Sequence, residues 1–190
     1  MALTLTALED LESTILQYVP KCPPNFMRLQ LSHAVRNFLA KTNIWTASIS
    51  VTIESGTTVY ELPFVSDVFV QNIESATLSD TDVLDLVEIT GDKEITITAD
   101  DSVSYDGEAI TIKCVVVPFS LPCEIPSRLV NLYSDFFIAG AVYNIARVPN
   151  KPYTNQKIEN SALADWKMGL TRASNAAATG NRNKNIGFTG

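Results

Sequence analysis

Phe38-Leu39-Ala40-Lys41-Thr42-Asn43-Ile44-Trp45-Thr46-Ala47-Ser48-Ile49-Ser50-Val51-Thr52-Ile53 is the stretch in which the hydrophobic period of the chain changes. Before it, Phe26, Leu31, Ala34, Val35, Phe38 and Leu39 recur at three- and four-residue steps, the buried stripe of a helix over about 25–41. From Trp45 onward the apolar residues Trp45, Ala47, Ile49, Val51 and Ile53 alternate with Thr and Ser, which predicts a strand with one buried face. The chain therefore passes from helical to β architecture within a few residues.

Toward the N-terminus, residues 6–19 read as a further helix. Thr6 and Glu9 have capping-box spacing, and Leu8, Leu11, Ile15 and Val19 keep the helical period. Pro20 stops it, and Lys21-Cys22-Pro23-Pro24 makes a stiff turn, so the two helices are expected to form an αα-hairpin.

Toward the C-terminus, Ser55-Gly56 is a hairpin signal, followed by a strand at 57–62 and Pro63. Further strands are expected at 67–72, 84–89, 94–98 and 109–117, punctuated by Gly91-Asp92, Asp100-Asp101 and Asp106-Gly107. Such spacing indicates a small antiparallel sandwich or barrel. Helical periodicity returns after Ile125-Pro126, with Ser127 as cap of a helix reaching about Arg147 that is apolar over most of its circumference. This helix reads as core, part of its surface being the other option. Pro149 and Pro152 break it, and a last helix runs from about 155 to 173 with Ile158, Ala162, Leu163, Trp166 and Leu170.

The fold class is therefore α+β. Helix pairs at 1–44 and 125–173 form one α-helical bundle, an acidic antiparallel β-sandwich or barrel lobe at 45–124 is inserted between them, and 174–190 is a flexible tail. The tail has only two large apolar residues, Ile186 and Phe188, and is too polar to make a core.

Composition limits the function classes. At 190 residues, with 46% hydrophobic and 18% charged residues, the chain is of globular type. No apolar run approaches the ~18 residues of a membrane span. The N-terminus has no basic region ahead of an apolar one, so a cytoplasmic protein is expected. Three widely spaced cysteines, Cys22, Cys114 and Cys123, read as free buried thiols. The net charge of −7 is unevenly spread: residues 46–126 hold two bases, Lys93 and Lys113, against fifteen acids, while both flanks are net basic.

Catalytic patterns are missing. His33 is the only histidine and lies mid-helix, with no nucleophile elbow, Walker sequence, GxGxxG or HExxH elsewhere. Asp80, Asp82 and Asp85 lack the glycine and terminal glutamate of a calcium loop, and with Asp100 and Asp101 they read as solvated turns. The bases after Ser127 are not interleaved with aromatic residues, which argues against sequence-specific DNA binding. No metal or cofactor site is expected.

Four segments in order carry a resemblance: Phe38-Leu39-x-x-Thr42-x-x-Trp45; Gly56-x-x-x-Tyr60-x-Leu62-Pro63; Glu124-Ile125-Pro126 opening a helix with Gly140-Ala141; and Pro149-x-x-Pro152-Tyr153-x-Asn155. Together, over about residues 5–175, they resemble the head–tail adaptor proteins of short-tailed bacteriophages, the tail tubular protein A or gatekeeper-like group. The resemblance implies a non-enzymatic virion protein at the head–tail junction, assembled in the host cytoplasm. Twelve copies would form a ring beneath the portal protein and continue the DNA channel toward a tail nozzle or tube protein. Genomic DNA would pass through the lumen without specific binding, and no membrane would be involved.

On that reading the tail 174–190 docks on the portal, with Ile186 and Phe188 as anchors and Arg182, Lys184 and Asn185 beside them. Asp80, Asp82, Asp100 and Asp101 become channel- or tail-facing acidic loops that repel DNA. The alternatives are a tail-completion protein lower in the tail, or a carbohydrate- or ligand-binding β module using an exposed Tyr60 or Tyr105.

Overall fold

The computed structural model describes residues 5–64, 67–98, 106–119 and 124–179. In chain order the elements are β1 (Leu5–Ala7), a 3-10 turn (Leu8–Leu11), α1 (Glu12–Tyr18), α2 (Pro24–Thr42), β2 (Thr46–Thr52), β3 (Val59–Glu61), β4 (Val68–Leu78) and β5 (Thr81–Asp82). A second 3-10 turn (Leu84–Leu86) precedes β6 (Val87–Ile89), β7 (Glu94–Ile97), β8 (Ala109–Pro118), β9 (Glu124–Pro126), α3 (Ser127–Ala146) and α4 (Gln156–Ala178). The class is α+β. The described residues divide into two compact units: Trp45–Val117, which is β, and 5–44 with 118–179, which is largely helical.

In the helical unit, Pro24 occupies the first turn of α2, where its missing N–H costs nothing, and the preceding Pro23 is extended (φ −61°, ψ 135°). Asn43 ends the helix in the left-handed region (φ 52°), and its N–H closes on Leu39 O at 3.1 Å. α2 buries Met27, Leu31, Ala34, Val35, Phe38 and Leu39, and α3 and α4 pack on it and on each other. The centre of this packing is Phe38, fully buried. Its ring lies 5.3 Å from that of Tyr133, 5.2 Å from Phe137 (edge-on, 87°) and 5.5 Å from Trp166. Two glycines let α3 and α4 approach. A Cβ at Gly140 would lie 2.5 Å from Trp166 Cε3, and one at Gly169 would strike the Phe136 ring. Asn155 caps α4, its Oδ1 accepting from the N–H groups of Lys157 (3.0 Å) and Ile158 (3.2 Å).

Three expectations for this unit need correction. No helix begins at residue 6. Residues 5–7 pair antiparallel with β9, Thr6 opposite Ile125, so their backbone groups are satisfied across a ladder and α1 begins only at Glu12. Ser127 is not the cap of α3 either, because Pro126, in an extended conformation, holds that position. Finally, α4 continues through Ala178, with Ala173 and Ala177 buried, so the first residues assigned to a tail are helical. Residues 180–190 lie outside the described residues.

α3 has the length and apolarity to cross a bilayer, which the reading of short apolar runs overlooked. Most of its surface is buried among protein side chains, and packing against α2 and α4 accounts for its composition.

The β unit contains two antiparallel sheets, in strand order β2-β8-β4-β5 and β3-β7-β6. In the β2–β8 pair, Ala47, Ile49 and Val51 face Cys114, Ile112 and Ile110, the apolar face predicted by the alternation. Ser50 and Thr111 meet on the other face, their hydroxyls 3.4 Å apart. Gly56 does turn the chain (φ 82°), but not into a β2–β3 hairpin. β2 pairs with β8 and β3 with β7, because Tyr60 finds its apolar partner in Ile95. The expected strand at 84–89 is a 3-10 turn followed by three strand residues. The expected strand at 67–72 runs on to Leu78.

Phe38→Ala removes a ring packed against three others and leaves a cavity, so it is expected to cost ~3–5 kcal/mol. Urea unfolding followed by far-UV circular dichroism checks it, against Leu29→Ala on the exposed side of α2, which is expected to change stability by less than about 0.5 kcal/mol.

Candidate interaction surfaces

The acidic lobe places its charge outward. Every described acid between residues 46 and 117 is exposed except Glu74, which is ion-paired with Lys113 at 3.0 Å. Neither lobe base, Lys93 or Lys113, is exposed. The surface potential of this unit is therefore strongly negative. Some carboxylates are placed at a cost: Glu61 and Glu94 stand directly opposite each other in the β3–β7 pair, where like charges destabilise.

Asp80 and Asp82 belong to one hairpin. Ser79 (φ 47°) and Asp80 (φ 67°) form the two-residue loop between β4 and β5, both left-handed as a type I′ turn requires. Asp80 is exposed at the tip. Asp82 Oδ1 accepts from the Leu84 N–H at 3.0 Å and shapes the exit from β5, so it is a turn residue as well as an acid. The tip is tied to the start of β8 by Ser79 Oγ donating to Glu108 Oε2 at 3.3 Å. Asp100 and Asp101 lie outside the described residues, as do Arg182, Lys184, Asn185, Ile186 and Phe188.

Tyr60 is not an exposed ligand platform. It is buried, its hydroxyl donates to Thr57 O (2.9 Å) and accepts from the Glu54 N–H (3.0 Å), and it holds the loop around Gly56 closed. Tyr105 lies outside the described residues.

His33 is exposed on α2. Among the described residues no group of three or more His, Cys, Asp or Glu is placed to hold a metal ion.

The helical unit has an open groove of about 690 Å³. α1 contributes Thr14 and Tyr18, α3 contributes Asp135, Phe136, Ile138, Ala139 and Val142, and α4 contributes Lys157, Ile158, Ser161, Ala162, Asp165 and Met168. Tyr18 and Met168 are 51% and 57% exposed, large apolar side chains held at a surface. Asp135 and Asp165 are exposed at its edge. The sequence reading did not find this groove. The available signal was Met168, an apolar residue off the Ala162-Trp166-Ala173 stripe of α4.

Cys22 and Cys114 are free and buried. Burial pushes both thiols up, and Cys114, facing the Glu74 carboxylate as well, is raised from about 9 to about 12. Neither is a nucleophile at neutral pH.

No family model and no curated protein matches the chain.

Iodoacetamide at pH 8 is expected to leave Cys114 unmodified in the folded protein and to modify it within minutes in denaturant, as mass spectrometry of the peptide reads. The unfolded chain ionises this thiol near pH 9 and the folded chain near 12. Its contribution to stability is therefore complete below pH 9 and lost progressively as pH rises toward 12.

Proposed function

We propose that this chain is a structural virion protein, an adaptor that forms a ring between a bacteriophage portal and its tail. The helices from both ends of the chain make the bundle that forms the ring body. The inserted acidic β lobe, read as a sandwich or barrel, faces the next tail component. The segment after α4 docks on the portal, and genomic DNA passes through the lumen.

The observation that carries this reading is the outward acidity of the β unit. All described acids but Glu74 are exposed, and no base is. DNA carries one charge per ~1.7 Å of its axis, so a wall of carboxylates keeps it from adhering during passage. Solubility alone does not require Glu61 opposite Glu94, which costs stability.

The residues behind the resemblance support it in a second way. Phe38, Leu39, Trp45 and Leu62 are buried, Tyr60 closes a loop, Pro126 and Asn155 cap helices, and Gly140 admits Trp166. They are positions on which a fold depends, so their order along the chain carries fold information. The competing β-module reading keeps only Tyr105, outside the described residues, since the Tyr60 hydroxyl is already occupied.

The mass of the cognate portal ring, measured with and without this protein by native mass spectrometry, is expected to rise by one copy per portal subunit. Deleting residues 180–190, which leaves α4 whole, is expected to abolish the gain. No gain with the full chain refutes the adaptor reading; a gain that survives the deletion refutes only the docking segment.

Replacing Asp80, Asp82, Asp100 and Asp101 together with Lys is expected to slow DNA release at least several-fold in an in vitro ejection assay, most at low salt. Unchanged ejection refutes the lining role.

A further inference from the structure

We propose that the groove face of α4 binds the same face of a second copy of this chain, the two helices lying antiparallel about a two-fold axis at Ser161. The contact lies within the helical unit, concerns the free protein, and stands apart from the adaptor reading.

Lys157, Ser161, Asp165 and Met168 follow one another at steps of four, four and three residues, so they share one face of α4. All four line the groove and all four are exposed. A two-fold axis across a helix exchanges the residue a given number of places before it with the residue as many places after. Centred on Ser161, it sets Lys157 against the second copy's Asp165, and Asp165 against the second copy's Lys157. Neither side chain makes an ion pair among the described residues. The face is therefore complementary in charge to itself, which is what an isologous contact requires. Charge also selects the register. An axis at Asp165 would set that carboxylate against its own copy, and one at Lys157 would do the same to the ammonium.

The apolar residues obey the same exchange. Ala164, exposed, meets the second copy's half-buried Ile158. Met168 stands seven places past Ser161, so it reaches the second copy at the level of Thr154, just ahead of α4. Tyr18 stands at that end of the groove. It is the last residue of α1, the link 19–23 joins it to α2, and Phe26 in the first turn of α2 stacks on Tyr153 at 6.1 Å. Met168 and Tyr18, 57% and 51% exposed in the single chain, thus cover each other across the pair, a thioether against an aromatic ring. The symmetry makes this contact twice. At the crossing Ser161 and Ala164 are small, so the two helices can approach to an axial separation of ~8–10 Å. Asp135 of α3 lies past Met168, at the level of Gly169, where Phe136 meets that glycine.

An isologous pair is closed: each copy spends the face on the other, and no third copy can add to it. The exposed apolar side chains of the groove are thereby withdrawn from open-ended association.

The test is sedimentation velocity of the free, full-length protein over a range of concentrations. A monomer–dimer equilibrium is expected, weakening as salt is added. Lys157→Asp and Asp165→Lys are each expected to weaken the dimer at least tenfold, because both ion pairs become like-charge contacts. Both positions are exposed, so the far-UV circular dichroism of each variant is expected to match the unaltered protein. Mixed in equal amounts, the two variants are expected to pair one to one, with an affinity within about threefold of the original, since every contact is again base to acid. A chain that stays monomeric at ~100 μM overturns the proposal. A dimer that both single variants leave intact overturns the α4 face as its seat, and variants that fail to pair on mixing overturn the two-fold register. Assemblies larger than two overturn the closed pair in favour of a head-to-tail contact. No portal is present, so each of these results leaves the adaptor reading to its own test.

Discussion

The Phe38 ring is the contact on which the helical unit depends. It belongs to the helix before the β unit, and it meets Tyr133 and Phe137 of α3 and Trp166 of α4, both after that unit. Edge-on and tilted aromatic pairs contribute ~0.5–1.5 kcal/mol each beyond their burial. More important here is connectivity: one side chain gathers segments separated by more than eighty residues of intervening chain. Gly140 and Gly169 serve the same packing, since a methyl at either would push Trp166 or Phe136 out of place. Substituting Ala for Gly in a helix ordinarily gains ~1 kcal/mol in propensity, but overpacking of this severity costs more.

The β unit is organised by a different constraint. Its strands bury one face each, as the Ala47–Cys114, Ile49–Ile112 and Val51–Ile110 register illustrates, and the acids are left to the outer face and the turns. Among the described lobe acids, Glu74 is the exception. It is mostly covered, pairs with Lys113 and raises Cys114, while the other described acids of the lobe are exposed and add to the surface field. Exposed charges separated by more than ~8 Å are largely screened at physiological salt. The field of these carboxylates is consequently a local one, confined to within about a Debye length of the surface.

The residues that look like motifs in the sequence turn out to be structural once placed. Tyr60 spends its hydroxyl on the Glu54–Thr57 loop, Asp82 on the Leu84 N–H, Asn155 on the first turn of α4. The sites with unspent capacity are surfaces instead: the outer acids of the lobe, and the groove flanked by Tyr18, Met168, Asp135 and Asp165.

Periodicity and composition by themselves determined the class α+β, α2 and α3 to within a residue or two, the start of α4, the buried face of β2, and the acidity of residues 46–126. These are local properties: a 3.6- or 2-residue repeat needs no knowledge of the partner it packs against. Composition likewise marked Cys22 and Cys114 as buried thiols. Only the tertiary structure decided which strands pair. Gly56 looked like the turn of a β2–β3 hairpin, yet β2 chose β8 and β3 chose β7, because apolar matching across a sheet is non-local. The same holds at residues 5–7, where a capping pattern gave way to a ladder with 124–126. It holds also for the groove, which no single helix announces, because a cavity exists only where several elements fail to fill the space between them.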